Sequence, residues 1–459
     1  MKSHVNAACT AAFACLAIAS VVANARAQDA VVPSRLSLAE AVRLARDRNP
    51  AIAIARQQVT VAEAGRVDAR LRPNPALSVD TERYASGSAS AATPGDGNNQ
   101  ITVRLDQEIE TAGRRRLRVE TANAGIDMAR AALADAQRRL DFTVRQAYFQ
   151  VILANADLDS STKTLAEIDQ LIVINRARLQ QGEISGVELR RLQVERLRFA
   201  DDRSSADLAL RNARSALLAV LGLADLGQPF DVTDTLAPPP DTPPGPPPGP
   251  PPAPPTGPTL TAAGLIDPSA GRLDVAALQA RALDARQDVL AARTDVLRAD
   301  TQTRLQRALR SPTITVGGGY TRTAGMSGFV AGVTVPLPFS NRNQGGVMRA
   351  AAERAIAESQ RTLTETAVRL DVQQAVNAVE VARARATAIQ QEYLPNARQA
   401  LDTVLATYRV GTTDLIDLLD AQRAFRETQR TYHRALFDWH LSVFQLDAAL
   451  GGSRPAAKE

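Results

Sequence analysis

Asp417 and Asp420 stand three residues apart in a stretch, 412–450, that contains neither Gly nor Pro. If that stretch is helical, both carboxylates lie on one face. Two readings follow. An acidic face near a helix start is favoured by the helix dipole alone. On the axis of a symmetric assembly, each Asp would instead form a ring that draws cations and turns anions away. Repulsion within such a ring would make it titrate as a unit.

Other reactive side chains are scarce. His433 and His440 lie seven apart, flanking Trp439. A metal pair on one helix needs i, i+4 spacing, and no Cys is near, so both read as surface or interface histidines. Cys9 and Cys15 both precede Asp29. If that segment is removed, disulfides, Cys–zinc sites and thiol catalysis are excluded together. Beyond the start, Met occurs only at Met128, Met326 and Met348, too few for a copper or silver relay. Gly317-Gly318-Gly319 opens no helix and cannot act as a phosphate loop, and instead allows close strand packing. No Ser–His–Asp arrangement is visible. The chain reads as a non-enzyme with no cofactor and no resident metal.

The chain has 459 residues, 45% apolar and 22% charged. That length allows about three ordinary domains and a sizeable core. Aromatics make up 4%, thin for an enzyme core or a sandwich. No run of apolar residues reaches membrane-helix length. Three lysines (Lys2, Lys163, Lys458) stand against 51 arginines, and the net charge is +5. Arg is interleaved with Asp and Glu, which describes solvated helix faces rather than a nucleic-acid surface.

Residues 1–27 read as an export signal: Lys2 and His4, an apolar run Ala11–Val22, and Ala25-Arg26-Ala27 as the cleavage box, leaving Gln28 first. Cys15 comes too early in the apolar run to favour lipidation.

Two repeats follow, 28–236 and 259–459, separated by a Pro-rich linker at 237–258 that holds 14 of the 26 prolines. The linker favours polyproline II and cannot form helix or sheet. Gly182, Leu189 and Gln193 recur as Gly411, Leu418 and Gln422. A repeat this long points to gene duplication rather than a solenoid.

Residues 126–181, 347–394 and 412–450 lack Gly and Pro. Val187/Val194, Leu192/Phe199 and Leu436/Val443/Leu450 are spaced by seven, a coiled-coil pattern. Ser185 with Glu188 predicts a capping box after Gly182, and Asp414 with Asp417 repeats it after Gly411.

Four segments alternate instead, with strands expected over about 75–84, 100–109, 312–321 and 328–338. Each has the length of a tilted membrane strand, apolar on one face and polar on the other. Tyr84 and Tyr320 lie near strand ends, where an interfacial girdle would sit. Soluble hairpins packed on helices are the alternative, and the charges on alternate positions argue against a dry second face. Four strands cannot close a barrel, so spanning a membrane would require several chains to share one.

Arg72-Pro73-Asn74-Pro75, the run Leu105 to Glu110 leading to Gly113-Arg114-Arg115, and the run Val335 to Gly345 carry a resemblance. They resemble the TolC-type outer-membrane factors, above all the channels of cobalt–zinc–cadmium-type efflux systems. The resemblance implies a mainly α fold of long antiparallel coiled coils in two repeats. Four strands per chain would complete a shared trimeric 12-stranded barrel. It implies a homotrimer in outer-membrane lipid with a tube into the periplasm, docked on a periplasmic adaptor and an RND-type proton-driven inner-membrane pump. By the same resemblance Tyr408, Asp417, Asp420 and Glu188 belong to the periplasmic gate. Thr413 falls where the drug-efflux archetype carries a basic gating residue. The helix-turn tips at Gly182, Ser185, Gly411 and Asp414 are the expected adaptor contacts. Drug or solvent efflux, type I protein secretion and a pore-free periplasmic scaffold stand as alternatives.

Overall fold

A computed structural model describes residues 33–84, 98–239, 274–323 and 326–452. The expected export signal with its two cysteines, residues 85–97 and most of the Pro-rich linker lie outside them.

The chain begins with β1 (Arg35–Leu36) and α1 (Leu38–Arg48). Ser37 caps α1: its side chain accepts from the Glu40 N–H, and Glu40 accepts from the Ser37 N–H at 3.1 Å. This full capping box has the S-x-x-E spacing that the sequence reading sought only at Ser185. Asn49 caps α2 (Pro50–Arg70), where Pro50 loses no bond at the first helical position. The strands β2 (Ala76–Tyr84) and β3 (Asn98–Ile109) follow. Then comes α3 (Arg114–Gln180), 67 residues long, which at 1.5 Å per residue spans ~100 Å. The helix α4 (Gly186–Val220) returns antiparallel to it and leads to β4 (Asp231–Val232).

The second half repeats this order. It contains α5 (Val275–Ala285), α6 (Gln287–Ala308), β5 (Ile314–Thr323), β6 (Met326–Thr334), α7 (Gln344–Ala388), α8 (Leu394–Val410) and α9 (Leu415–Ala449). A single wide turn, Ile389–Tyr393, joins α7 to α8, with the Leu394 N–H reaching back five residues to the Ile389 carbonyl. Pro395 explains it. Its ring would strike the carbonyl four residues back in a regular helix, and the wider turn makes room. The helix therefore continues through Pro395 to Val410, and residues 344–410 match α3 in length. α4 and α9 are both 35 residues long.

One sheet joins the halves, in the order β2-β3-β5-β6, antiparallel throughout. β6 ends at Thr334, short of the expected 338, because Pro336 and Pro338 have no N–H for a ladder. β5 starts at Ile314, after Pro312, for the same reason. A second, two-stranded parallel sheet pairs β1 with β4 and was not legible in the sequence. Tyr148 secures it from α3, its one hydroxyl proton shared between the Leu36 carbonyl at 2.9 Å and Asp234 at 2.5 Å.

The core is strung along the helices in separate clusters. One packs α1 and β1 against Val144, Tyr148, Leu217 and Leu221. A second gathers α5 and α7 around Trp439, and a third lies toward the helix turns. The heptad reading needs one correction. Leu192, Phe199, Leu436, Val443 and Leu450 are buried, but Val187 and Val194 are exposed. Their seam faces away from this chain's own helices. Among the described residues no helix is long and apolar enough to cross a membrane.

Candidate functional site: the helix-turn tips

Two turns close one end of the helices. Gly182 ends the α3 turn at φ +78°, and Gly411 ends α8 at φ +83°. In each, an N–H reaches back five residues: Glu183 to the Arg178 carbonyl at 2.9 Å, and Thr412 to the Thr407 carbonyl at 3.1 Å. This left-handed closure strongly favours glycine. Ser185 then caps α4, its hydroxyl accepting from the Glu188 N–H at 3.3 Å. Asp414 stands at the matching position before α9, but its side chain makes no capping bond.

Leu415, Leu418 and Leu419 bury their side chains with Leu192, Phe199, Leu401 and Tyr408. That fixes the rotation of α9. Asp417 and Asp420 consequently face outward, and both are exposed. Among the described residues no ion pair reaches Asp417. Asp420 pairs with Arg423 at 2.9 Å. The Arg423 guanidinium also bonds Glu195, a carboxylate buried on α4 that Arg198 holds at 2.8 Å. One turn further, Arg426 bonds Asp202 and lies 5.0 Å over the Phe199 ring. Arginines of α9 thus tie it to α4.

Tyr408 is buried at the end of α8, and its hydroxyl donates to Asn175 Oδ1 at 2.6 Å. Arg178 lies 5.5 Å over its ring. The same guanidinium donates to the carbonyls of Tyr408 at 3.3 Å and Arg409 at 3.0 Å, and pairs with Glu183 at 3.2 Å. A cation on the last carbonyls of a helix is favoured by its dipole. Burial holds the Tyr408 phenol above its usual pKa, and the Glu188 charge adds to that push. Glu188 is therefore electrostatically linked to Tyr408 without bonding it. Thr413 donates to Thr407 Oγ at 2.7 Å and stays within its own turn.

The structure gathers Tyr408, Glu188, Asp417 and the four turn residues at this end, with Asp420 one turn along. Sequence reasoning missed Asn175, Arg178, Glu195 and Arg423. Arg423 was detectable as the i+3 partner of Asp420, and Arg178 by its place in the last turn before Gly182. The partner across helices was not detectable for either. The histidines do not meet: His433 Nδ1 bonds Asp157 at 2.9 Å, while His440 Nε2 bonds the Ala237 carbonyl at 2.9 Å. Burial lowers the His440 pKa. Among the described residues no three His, Cys, Asp or Glu side chains cluster as metal ligands.

The sheet has two unlike faces. Leu77, Val79, Ile101, Val103, Leu105, Val316, Tyr320, Phe329 and Val333 are exposed on one. Phe329 is 93% exposed. The other face carries Asp80, Thr102, Arg104, Asp106 and Thr321, by the alternation of the paired strands.

Residues 41–223 and 278–452 match the model of the outer membrane efflux protein family. The chain is 25% identical over 420 residues to the cobalt-zinc-cadmium resistance protein CzcC of Cupriavidus metallidurans, covering 91% of this chain and 90% of that one. It is 24% identical over 348 residues to the outer membrane protein TolC of Vibrio cholerae, 72% of each chain. In fold it is similar to CusC, with a TM-score of 0.70 at 18% identity over 94% of this chain and 96% of that one. The outer membrane protein VceC of Vibrio cholerae also gives 0.70, at 18% identity over 90% and 96%. The chain belongs to the outer membrane efflux protein family, whose members are channels and not enzymes.

Proposed function

We propose that this chain is the outer-membrane exit duct of a tripartite efflux system and passively conducts heavy-metal cations. One observation carries the reading: a four-stranded sheet with an exposed apolar face and, among the described residues, two unpaired edges, β2 and β6. Open edges are not tolerated in lipid, so the sheet must be closed by further copies. Two copies would give about eight strands, an interior that side chains fill, whereas three give about twelve and leave a bore. Three is the copy number that the family resemblance implies, so the working form in this reading is a homotrimer with a shared 12-stranded barrel in outer-membrane lipid. The ~100 Å helices form the tube through the periplasm. A periplasmic adaptor docks on the tips at Gly182, Ser185, Gly411 and Asp414, and an RND-type proton-driven pump supplies the cargo. Metal as cargo is supported by the relative named for cobalt, zinc and cadmium resistance.

The tips form the gate. Asp417 and Asp420 supply acidic rings on the axis, and Tyr408 and Glu188 hold the closed state. With Thr413 engaged inside its own turn, arginines provide the lock: Arg178 across to α8, and Arg423 across to Glu195. An adaptor that competes for those arginines would free α8 and α9.

The test is retained zinc, cobalt and cadmium after a metal load, in cells lacking the chain, re-expressing it, or carrying Asp417→Ala with Asp420→Ala. The expected result is high retention without the chain, low retention with it, and an intermediate level in the double variant. Unchanged metal with raised dye retention would reassign the duct to drug or solvent efflux. Loss of a secreted protein alone would indicate type I export. Extraction without detergent would leave the pore-free scaffold.

A further inference from the structure

Arg104 is the basic member of the polar sheet face, and it does not project from it. Its Cγ lies over Gly319, where an added Cβ would stand 2.8 Å from it. Its Nη2 lies between two further glycines, 3.2 Å from a Cβ built on Gly317 and 3.5 Å from one on Gly332. The side chain therefore runs from β3 across β5 to β6, flat on a floor of backbone. Nη2 also pairs with Asp106 at 3.2 Å. The Asp106 carboxylate occupies the volume a Gly317 side chain would need, 1.7 Å from that Cβ. Nε is buried against the floor without a hydrogen bond. Register puts Gly319 beside Arg104, and Gly317 beside Asp106 and Gly332, so the three glycines and the ion pair form one patch.

The charge on this face is lopsided. Alternation places Asp80, Glu82, Asp106 and Glu108 on it against Arg104 among the described strand residues. An arginine standing upright would put a guanidinium into a bore whose wall is otherwise acidic. Held flat and paired, it does not.

We propose that Arg104 is a selectivity-determining residue of the barrel: held on the Gly317, Gly319 and Gly332 floor by Asp106, it leaves an acidic wall that favours cations, and released it would obstruct them. This inference rests on the trimeric-barrel reading above.

The experiment is single-channel recording of the purified full-length protein in planar bilayers under a potassium chloride gradient. The parent carries Asp417→Ala and Asp420→Ala, so that tip charges do not set the reversal potential. Gly317→Ala is expected to displace Asp106, release Arg104, lower the conductance and shift the reversal potential toward anions. Gly332→Val, which crowds the guanidinium without touching Asp106, should shift it the same way. Adding Arg104→Ala to either should restore conductance and cation preference. Glycine variants that behave as the parent overturn the proposal, as does a shift that persists without Arg104. If the parent forms neither channels nor an SDS-resistant trimer, the duct reading itself falls and this inference falls with it. A parent that conducts, with glycine variants that change nothing, sinks the floor alone.

Discussion

At the tips, Thr413 stands where the drug-efflux archetype carries a basic gating residue, and it is Arg178 and Arg423 that reach across between helices. Arg178 satisfies two terminal carbonyls of α8 and covers the Tyr408 ring. Charged hydrogen bonds of this kind each contribute about 1.5–3 kcal/mol. Arg178→Ala should therefore loosen the closed state, read as a higher open probability in bilayers with thermal stability lowered by a few degrees at most. Glu195 is buried, so Glu195→Ala leaves Arg423 without its partner across helices and should open the channel similarly. If neither variant changes open probability, the arginine lock is wrong. Elsewhere, Asp288 pairs with Arg286, which also bonds Asp371 and the Ala449 carbonyl. Burial pushes the Asp288 carboxyl up, but the Arg286 bonds and the nearby Arg138 charge outweigh it and leave the pKa lowered from 3.8. A lowered carboxylate contributes stability at any pH above its unfolded value and loses it as pH falls through the folded one. Melting temperature should therefore fall as pH drops below about 4, and Asp288→Asn should flatten that slope.

Among the elements, α4 and α9 show duplication at its clearest. Ser185 and Asp414 open them, and Gly222 and Gly451 close them at φ +78° and +105°. The closing glycines differ from the tip glycines in what surrounds them. A Cβ on Gly411 meets nothing within 4 Å, whereas one on Gly222 would lie 2.9 Å from the Arg48 carbonyl. Gly411→Ala should cost only the left-handed backbone strain, about 1–2 kcal/mol. Gly222→Ala should cost more, because backbone of α1 and Asn49 must move as well. Thermal melts of the two variants compare them directly, and an equal loss would mean that contact is unimportant. Much of this layer was legible in the sequence: strand alternation, the Gly-marked turns and the Ser185 start are written in spacings of two, three and seven. The β1–β4 pair was not, because two-residue strands carry no period and meet only once α3 brings Tyr148 between them. The ends of β5 and β6 were misjudged where Pro312, Pro336 and Pro338 continue the apolar pattern but break the ladder.

For the whole molecule, the apolar sheet face and the outward Val187/Val194 seam find no partner among the described residues. A trimer that buries the seam and sets the sheet in lipid satisfies both. The register sets Tyr320 level with Val103 and Val79, halfway along the sheet rather than at a strand end, and Phe329, opposite it on β6 and packed edge-on at 6.3 Å, is the position to test. An arginine on a lipid face costs about 2–4 kcal/mol at mid-membrane. Phe329→Arg should reduce the SDS-resistant trimer recovered from outer membranes, while Val330→Ala, on the other face, should not.

Sequence alone determined the class of the protein: two repeats, long helices, four amphipathic strands, scarce reactive side chains and the motifs of an outer-membrane factor. Those are properties of period and composition, which local sterics and the hydrophobic effect impose wherever the chain lies. Tertiary structure alone decided which arginine meets which carboxylate, that Asp417 faces outward while its neighbours Leu415 and Leu418 are buried, and that Arg104 lies flat on glycine. Pairings between residues some 230 positions apart, such as Asn175 with Tyr408, depend on the rotation of each helix about its axis and the register of each strand. No local pattern encodes those, because they are set only when the buried faces of all the elements pack at once.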